Sequence, residues 1–309
     1  MPLSKIKSDA LLTATANPSS PSKGDMYYNT SENELRIYNG SAWVTSTDEV
    51  NKDNAPSIMG DAYFWLPSEN IVFGADGIVD RWDEENNNRD FTPDVAPSSN
   101  SSNLYAYPFS NGYMAVSADD AYDGTGSYGP CLRYNTAAGF TYGDDWSAIL
   151  VINHLGNNGQ TYNDAFAAVN SSDSNSNGSW SIAPGRVHTW GNGYGEIPSS
   201  GSNPYGTGVN FGKSIWLWRY TASGTTYQEY RWDVGSKSWL TIQNVSSAGA
   251  MPNVTYGSQT VCNFEHASNS NHSPKGHIAE YAFWSDTVLT DAQRDDIGIY
   301  LHNKFKIGD

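Results

Sequence analysis

Between residues 24 and 44 the chain alternates in a way that predicts three short strands. Met26-Tyr27-Tyr28-Asn29 is an aromatic strand and Ser31-Glu32-Asn33 a turn. Glu34-Leu35-Arg36-Ile37-Tyr38 then alternates polar and apolar residues with the period of two that lines one face of a sheet. Asn39-Gly40 supplies the left-handed dihedrals of a two-residue hairpin turn, and Ser41-Ala42-Trp43-Val44 follows as the third strand. A meander this small, residues 23–48, buries no core alone and must pack on something. The arm before it, residues 1–22, is short of core-forming side chains and carries Pro18, Pro21 and several serines, so it reads as unpacked by itself. After the meander the chain turns polar, and residues 49–58 read as a linker.

Beyond residue 58, short apolar runs recur with Gly, Asn and Ser between them. Strands are expected at 63–66, 78–82, 113–116, 147–152, 214–220, 227–232, 239–242 and 277–284. Regular short strands separated by turn residues predict an all-β fold, a two-sheet antiparallel sandwich or jelly roll, over residues 59–309. One helix stands out, at the C-terminal end. Thr290-Asp291-Ala292-Gln293 has the form of a capping box, and Ile297, Leu301 and Phe305 recur every four residues as one apolar stripe.

Composition narrows the function classes. The 309 residues include 33 acidic and 17 basic side chains, a formal charge of −16, which excludes a nucleic-acid binder held by phosphate contacts. The longest apolar runs fall far short of the roughly 20 residues that span a bilayer, so no membrane insertion is expected. The start, Met1-Pro2-Leu3-Ser4-Lys5-Ile6-Lys7, shows no signal-peptide pattern. Cys131 and Cys262 are the two cysteines, and neither has metal-ligand spacing; two isolated thiols are favoured over a single disulfide.

The meander, with its G-x-x-Y-Y-N and N-x-L-x-x-Y-N-G-x-x-W pattern over residues 24–43, resembles a module of tail-fibre and virion proteins of tailed phages. The body resembles a laminin-G-like, concanavalin A-like jelly roll. The residues that carry this likeness are Ala62-Tyr63-Phe64-Trp65-Leu66, Gly77 to Asp83 with Asn86-Asn87-Asn88, and the closing run Gly276 to Trp284 with Leu289 to Arg294 and Tyr300 to Phe305. The segment Ser171 to Gly212 matches that family poorly and reads as loop insertion. The resemblance implies a non-catalytic phage virion structural protein, a tail fibre or a capsid fibre or decoration protein, assembled in the host cytoplasm and resident in the virion. Its arm would attach to other virion proteins of capsid or tail. It would form a homo-oligomer, a trimer being favoured, and its jelly roll would be displayed outward to bind host-surface glycan. The alternatives are a purely structural capsid decoration protein that binds no glycan, and a polysaccharide-degrading enzyme.

No catalytic residue is expected. Glucanases of the resembled superfamily carry paired carboxylates in an E-x-D-x-x-E run, because a retaining pair must lie about 5–5.5 Å apart. No such run occurs. Glu229 and Asp233, and likewise Asp80 and Glu84, are four residues apart on an extended strand and read as solvated charges. Glu280, inside an apolar strand, reads as structural, paired with Arg294 or capping a loop. The six histidines form no close pair and no nucleophile elbow is present. No cofactor is required. Calcium is a candidate ligand of Asp173, Asn175 and Asn177, which match the first half of an EF-type loop. Pro184 stands where the bidentate Glu is due, so a Ser/Asn turn tip is the favoured reading there, and equally at the acidic run Asp119 to Gly124. Carbohydrate contacts are expected from Trp180, His188, Trp190, Asn192 and Tyr194, where aromatic faces for sugar C–H stacking sit among polar partners and flexible glycines. The same group would serve equally as a subunit contact. Trp216, Trp218, Trp232 and Trp239 read as core or sheet face.

Overall fold

The structure, a computed structural model, describes residues 12–22, 25–31, 34–38, 43–45, 54–94, 104–117, 131–141, 145–155, 166–170, 180–184, 186–189, 195–197, 211–224, 226–246, 255–261 and 276–308. The chain forms two compact units, Met1–Val50 and Asn51–Asp309.

In the first unit, β1 (Leu12–Ala14), β2 (Met26–Asn29), β3 (Glu34–Tyr38) and β4 (Trp43–Thr45) form one sheet in that order. The meander therefore has four strands rather than three: β1 pairs β2 in parallel, Leu12 opposite Tyr27 and Ala14 opposite Asn29. From residue 12 onward the arm is tied to the sheet by strand pairing and side-chain hydrogen bonds, while its own residues stay exposed or half-buried. The reason lies in the acceptors it offers. Asn17 Oδ1 accepts from the buried Tyr27 hydroxyl (2.7 Å) and from Arg36 Nη1 (3.3 Å), and the Pro18 carbonyl accepts from Trp43 Nε1 (3.2 Å). Tyr27 and Trp43 meet edge to face at 4.8 Å. A few side-chain hydrogen bonds and one ring contact thus order a stretch that hydrophobic pattern alone leaves unassigned.

The second unit is the all-β sandwich. Its strands begin with β5 (Phe64–Leu66), β6 (Ile71–Phe73), β7 (Val79–Trp82), β8 (Thr92–Asp94), β9 (Tyr105–Ser110) and β10 (Tyr113–Ser117). They continue with β11 (Cys131–Thr141), β12 (Trp146–His154), β13 (Phe166–Asn170), β14 (Trp180–Ala183), β15 (Arg186–Thr189) and β16 (Gly195–Ile197). The last are β17 (Gly212–Thr221), β18 (Thr226–Asp233), β19 (Ser238–Val245), β20 (Thr255–Val261) and β21 (Gly276–Ser285), followed by the helix α1 (Asp291–Phe305). One sheet runs β19-β18-β17-β12-β21-β10-β9, with β5 also paired to β21; the other runs β16-β15-β14-β13-β20-β11-β8. Both are antiparallel throughout. Trp146, Leu150, Trp216, Trp218, Tyr281 and Phe283 of the first sheet share one core with Leu132, Ile182 and Val261 of the second.

The central strands β12 and β21 are buried along nearly their whole length, because the first sheet is covered on both sides. Its second face carries α1. The capping box is present: Gln293 N donates to Thr290 Oγ1 (3.3 Å) and Thr290 N donates to Gln293 Oε1 (2.9 Å). Ile297, Leu301 and Phe305 are buried as the periodicity requires. Gly298 is where the helix meets β18 and β19. A Cβ there would stand 2.3 Å from Trp232 Cζ3 and 2.8 Å from Trp239 Nε1, whose indole already donates to the Arg294 carbonyl (2.9 Å). Gly298→Ala should therefore destabilise by about 1–3 kcal/mol through overpacking, outweighing the roughly 1 kcal/mol of better helix propensity. A thermal melt checks this; a raised Tm would mean that Trp232 yields freely.

Candidate carbohydrate-recognition surface

At one end of the first sheet the helix-bearing face is left uncovered by α1. On this face lie Tyr105 and Tyr107 of the edge strand β9, Ala115 and Ser117 of β10, His277 of β21, Asn153 of β12 and Lys213 of β17. The register sets Tyr107 opposite Ala115, Tyr105 opposite Ser117, Ser117 opposite His277, His277 opposite Asn153, and Asn153 opposite Lys213. Residues two apart on a strand share a face, so the two tyrosines point the same way. Pro108 fits here because β9 is the last strand of its sheet, bridged on the outer side only by the segment around Ile78 opposite Tyr105.

The small residues decide the geometry. Ala115 and Ser117 put almost no side-chain volume on β10, so the Tyr107 ring lies across that strand and stacks on His277, centroids 3.9 Å apart and planes 14° from parallel. His277 is buried, and its Nδ1 lies within hydrogen-bonding distance of the Asn153 side-chain amide nitrogen, at 3.2 Å. Tyr107, held from below, remains 46% exposed, and Tyr105 beside it 38%. The Lys213 ammonium donates to the Phe109 carbonyl and lies 5.4 Å from the Phe109 ring, keeping a cation at the margin. A flat, immobilised, half-exposed aromatic face ringed by amide, imidazole, hydroxyl and ammonium groups suits a ligand with apolar C–H faces and hydroxyl edges. Sequence reasoning missed Tyr105, Tyr107 and His277 as a group. The available signal was Tyr-Ala-Tyr at 105–107 on one strand and two small residues at the same spacing on the next.

Of the residues expected at a sugar site, Trp180 and His188 fall on described strands. The segment around Trp180 is not loop insertion: Trp180 lies on β14 and His188 on β15, the two strands closing as a hairpin at Ala183 opposite Arg186. Trp180 pairs Thr189 and His188 pairs Ser181. The hairpin follows from Pro184-Gly185, a turn dipeptide flanked by alternating residues. Trp190, Asn192 and Tyr194 lie outside the described residues, as do Asp173, Asn175, Asn177, Asp119 to Gly124 and Cys262. Among the described residues no group of three His, Cys, Asp or Glu side chains is placed to hold a metal ion.

The carboxylates also depart from expectation. Glu229 and Glu84 are buried rather than solvated, while Asp233 is half-buried and Asp80 exposed. Glu84 Oε1 accepts from the backbone N–H of Trp65 (3.0 Å) and of Asn86 (2.9 Å), organising the Asn-rich turn. Glu280 pairs with Lys304, not Arg294: the ammonium lies 2.6 Å from Glu280 Oε2 and 2.6 Å from Glu69 Oε2. Arg294 binds Asp291 and Asp295 instead. Trp65 Nε1 donates to the other Glu280 oxygen at 2.9 Å. Trp216 and Trp218 are buried in the core and Trp232 packs against Trp239.

No protein-family model and no curated protein matches the sequence. Among solved structures the chain is similar to an arabinofuranosidase complexed with arabinofuranosyl-α-1,2-xylobiose, at 12% identity and a TM-score of 0.48, over 74% of this chain and 51% of that one. It therefore spans about half the length of that enzyme. It is similar to domain 4 of AbnA, an extracellular GH43 arabinanase from Geobacillus stearothermophilus in complex with arabinotriose, at 11% identity and a TM-score of 0.48, over 77% of this chain and 99% of that one. It is also similar to a Trypanosoma rangeli sialidase in complex with sialic acid, at 7% identity and a TM-score of 0.41, over 81% of this chain and 34% of that one. These structures are carbohydrate-active proteins, not virion components. The expectation of a non-catalytic virion structural protein is corrected on that finding, and neither the virion role nor the absence of catalysis is retained.

Proposed function

We propose that the larger unit is a carbohydrate-recognition β-sandwich, engaging polysaccharide through the uncovered end of its first sheet, the step common to polysaccharide binding and polysaccharide degradation. The single observation that supports this reading most is the Tyr107 ring, fixed flat by the buried His277 and still 46% exposed. An exposed Tyr normally rotates freely, and holding it before the ligand arrives removes part of the entropy cost of binding. Its neighbours Tyr105, Ser117 and Asn153 supply the hydroxyl and amide groups that a sugar's edge requires.

The test is a glycan array probed with the whole chain and with Tyr107→Ala. The wild type is expected to bind a defined set of oligosaccharides, and the variant to lose about tenfold or more in affinity for them with its melting temperature nearly unchanged. Equal binding by both proteins would remove Tyr107 from the site.

A further inference from the structure

On the opposite face of the same sheet, toward the same end, lies a second polar feature that the tyrosine platform does not use. The Arg231 guanidinium of β18 sits 5.9 Å from the Phe211 ring centroid and 6.0 Å from that of Trp216. Phe211 and Trp216 meet edge to face at 5.0 Å, and the buried His154 packs on Phe211 at 5.3 Å. Trp216 is itself locked, since its Nε1 donates to Ser214 Oγ at 2.9 Å. Arg231 is half-buried, and its cross-strand partner Leu240 is 40% exposed, so the cluster reaches the surface.

What separates Arg231 from its counterparts is its lack of an acceptor. Arg36 donates to Asn17, Arg81 to Asp83, Arg89 to the Tyr63 carbonyl, Arg219 to Asp291, and Arg294 to Asp295. Among the described residues Arg231 has ring contacts and no hydrogen-bond acceptor. On its own strand Glu229 is buried, and Asp233, although the Arg231 charge acts on it, accepts its hydrogen bonds from the Ser236 N–H (3.1 Å) and hydroxyl (2.5 Å). Among the described residues no carboxylate accepts a hydrogen bond from this fork, and Asp233 feels its charge only through space. A guanidinium lying beside this ring pair, with no hydrogen-bond acceptor among the described residues, suits a planar, bidentate anion, and a carboxylate matches its geometry.

We infer that Arg231, with Phe211 and Leu240 beside it, is a subsite for the carboxylate of an acidic sugar, so that the polysaccharide recognised contains uronic or similar acid residues. This rests on the carbohydrate-recognition reading and narrows it. Phe211 and Leu240 offer the apolar contact for the ring that bears the carboxylate, while the general negative field of the protein disfavours anions that miss the fork.

Isothermal titration of the whole chain with tetragalacturonate and with its methyl ester tests this, because the ester keeps the sugar backbone and removes the charge. The acid is expected to bind about tenfold tighter than the ester at low salt. Arg231→Gln should equalise the two, Arg231→Lys should keep a reduced preference, and Tyr107→Ala, on the other face of the sheet and five strands away, should leave the acid-to-ester ratio unchanged. Wild-type protein that binds acid and ester equally, or an unchanged preference in Arg231→Gln, overturns the carboxylate subsite and leaves the tyrosine platform standing. If neither form binds although the array shows neutral ligands, the acidic-sugar inference falls alone. If no glycan binds at all, both fall. Should Arg231→Gln fail to fold, the wild-type ratio and the Lys variant still decide the matter.

Discussion

Lys304→Met is expected to cost the larger unit about 3–5 kcal/mol, the greatest single loss among the substitutions considered, because it strips the cation from a fully buried pair. Lys304 and Glu280 are both 0% exposed. The ammonium satisfies Glu280, Glu69 and, at 3.3 Å, the Tyr300 hydroxyl. It thereby ties the last turn of α1 to β21 and to the short turn holding Glu69. Burial pushes the Glu280 carboxyl up, Lys304 draws it back, and the neighbouring Glu69 charge pushes it up again. Without Lys304 only the Trp65 hydrogen bond still opposes the upward causes, and a carboxyl raised in the folded state contributes stability at low pH that disappears as pH rises through its folded value. The loss in Lys304→Met should therefore be smaller in mildly acidic than in neutral solution. Replacing Glu280 by Met as well should restore much of the stability, since a well-packed apolar pair replaces a stranded charge. Urea denaturation at two pH values measures all three quantities. A loss below about 1 kcal/mol would mean that the carboxylates find water or another cation.

Gly276→Ala carries the second-largest effect, and it acts on the recognition surface directly. Gly276 has φ +155°, and a Cβ there would stand 2.2 Å from the Asn153 carbonyl oxygen and 3.3 Å from His154 Cα. Both obstacles are backbone, so no side chain can swing aside; β12 and β21 must separate where Asn153 meets His277. Overpacking of this kind costs about 1–3 kcal/mol, sometimes more. The separation also moves His277 from beneath Tyr107, so oligosaccharide affinity should fall with stability, by about as much as in Tyr107→Ala. Denaturation and titration on the same preparation test the coupling. Retained affinity in a destabilised protein would show that the platform does not depend on this strand contact.

Much of the first sheet was legible in the sequence because its strands are dense in β-branched and aromatic residues, as in Ser147 to Ile152 and His277 to Trp284. The helix was legible from Thr290 and Gln293 together with the Ile297, Leu301 and Phe305 stripe. The second sheet was not. Its β11 runs through Asn135-Thr136-Ala137-Ala138-Gly139, residues that favour turns or helix, and the ladder with β20 shifts register between Asn135 and Phe140. Pairing with a distant strand, not local propensity, makes that segment extended. Lys304 was hidden for another reason: an ammonium inside an apolar helical stripe reads as solvent-facing until its two carboxylate partners, far away in sequence, are placed beside it. The platform is equally non-local. Tyr107 and His277 belong to strands separated by most of the body, and only the order β21-β10-β9 lays one ring on the other.

The central claim is that sugar rings stack on Tyr107. NMR of the whole chain, with aromatic protons assigned and an array-positive oligosaccharide bound, should give intermolecular NOEs from sugar C–H protons to the Tyr107 ring, with shift changes at Tyr105 and His277. NOEs confined to Trp180, with Tyr107 and His277 unmoved, would place the site on the second sheet and contradict the account.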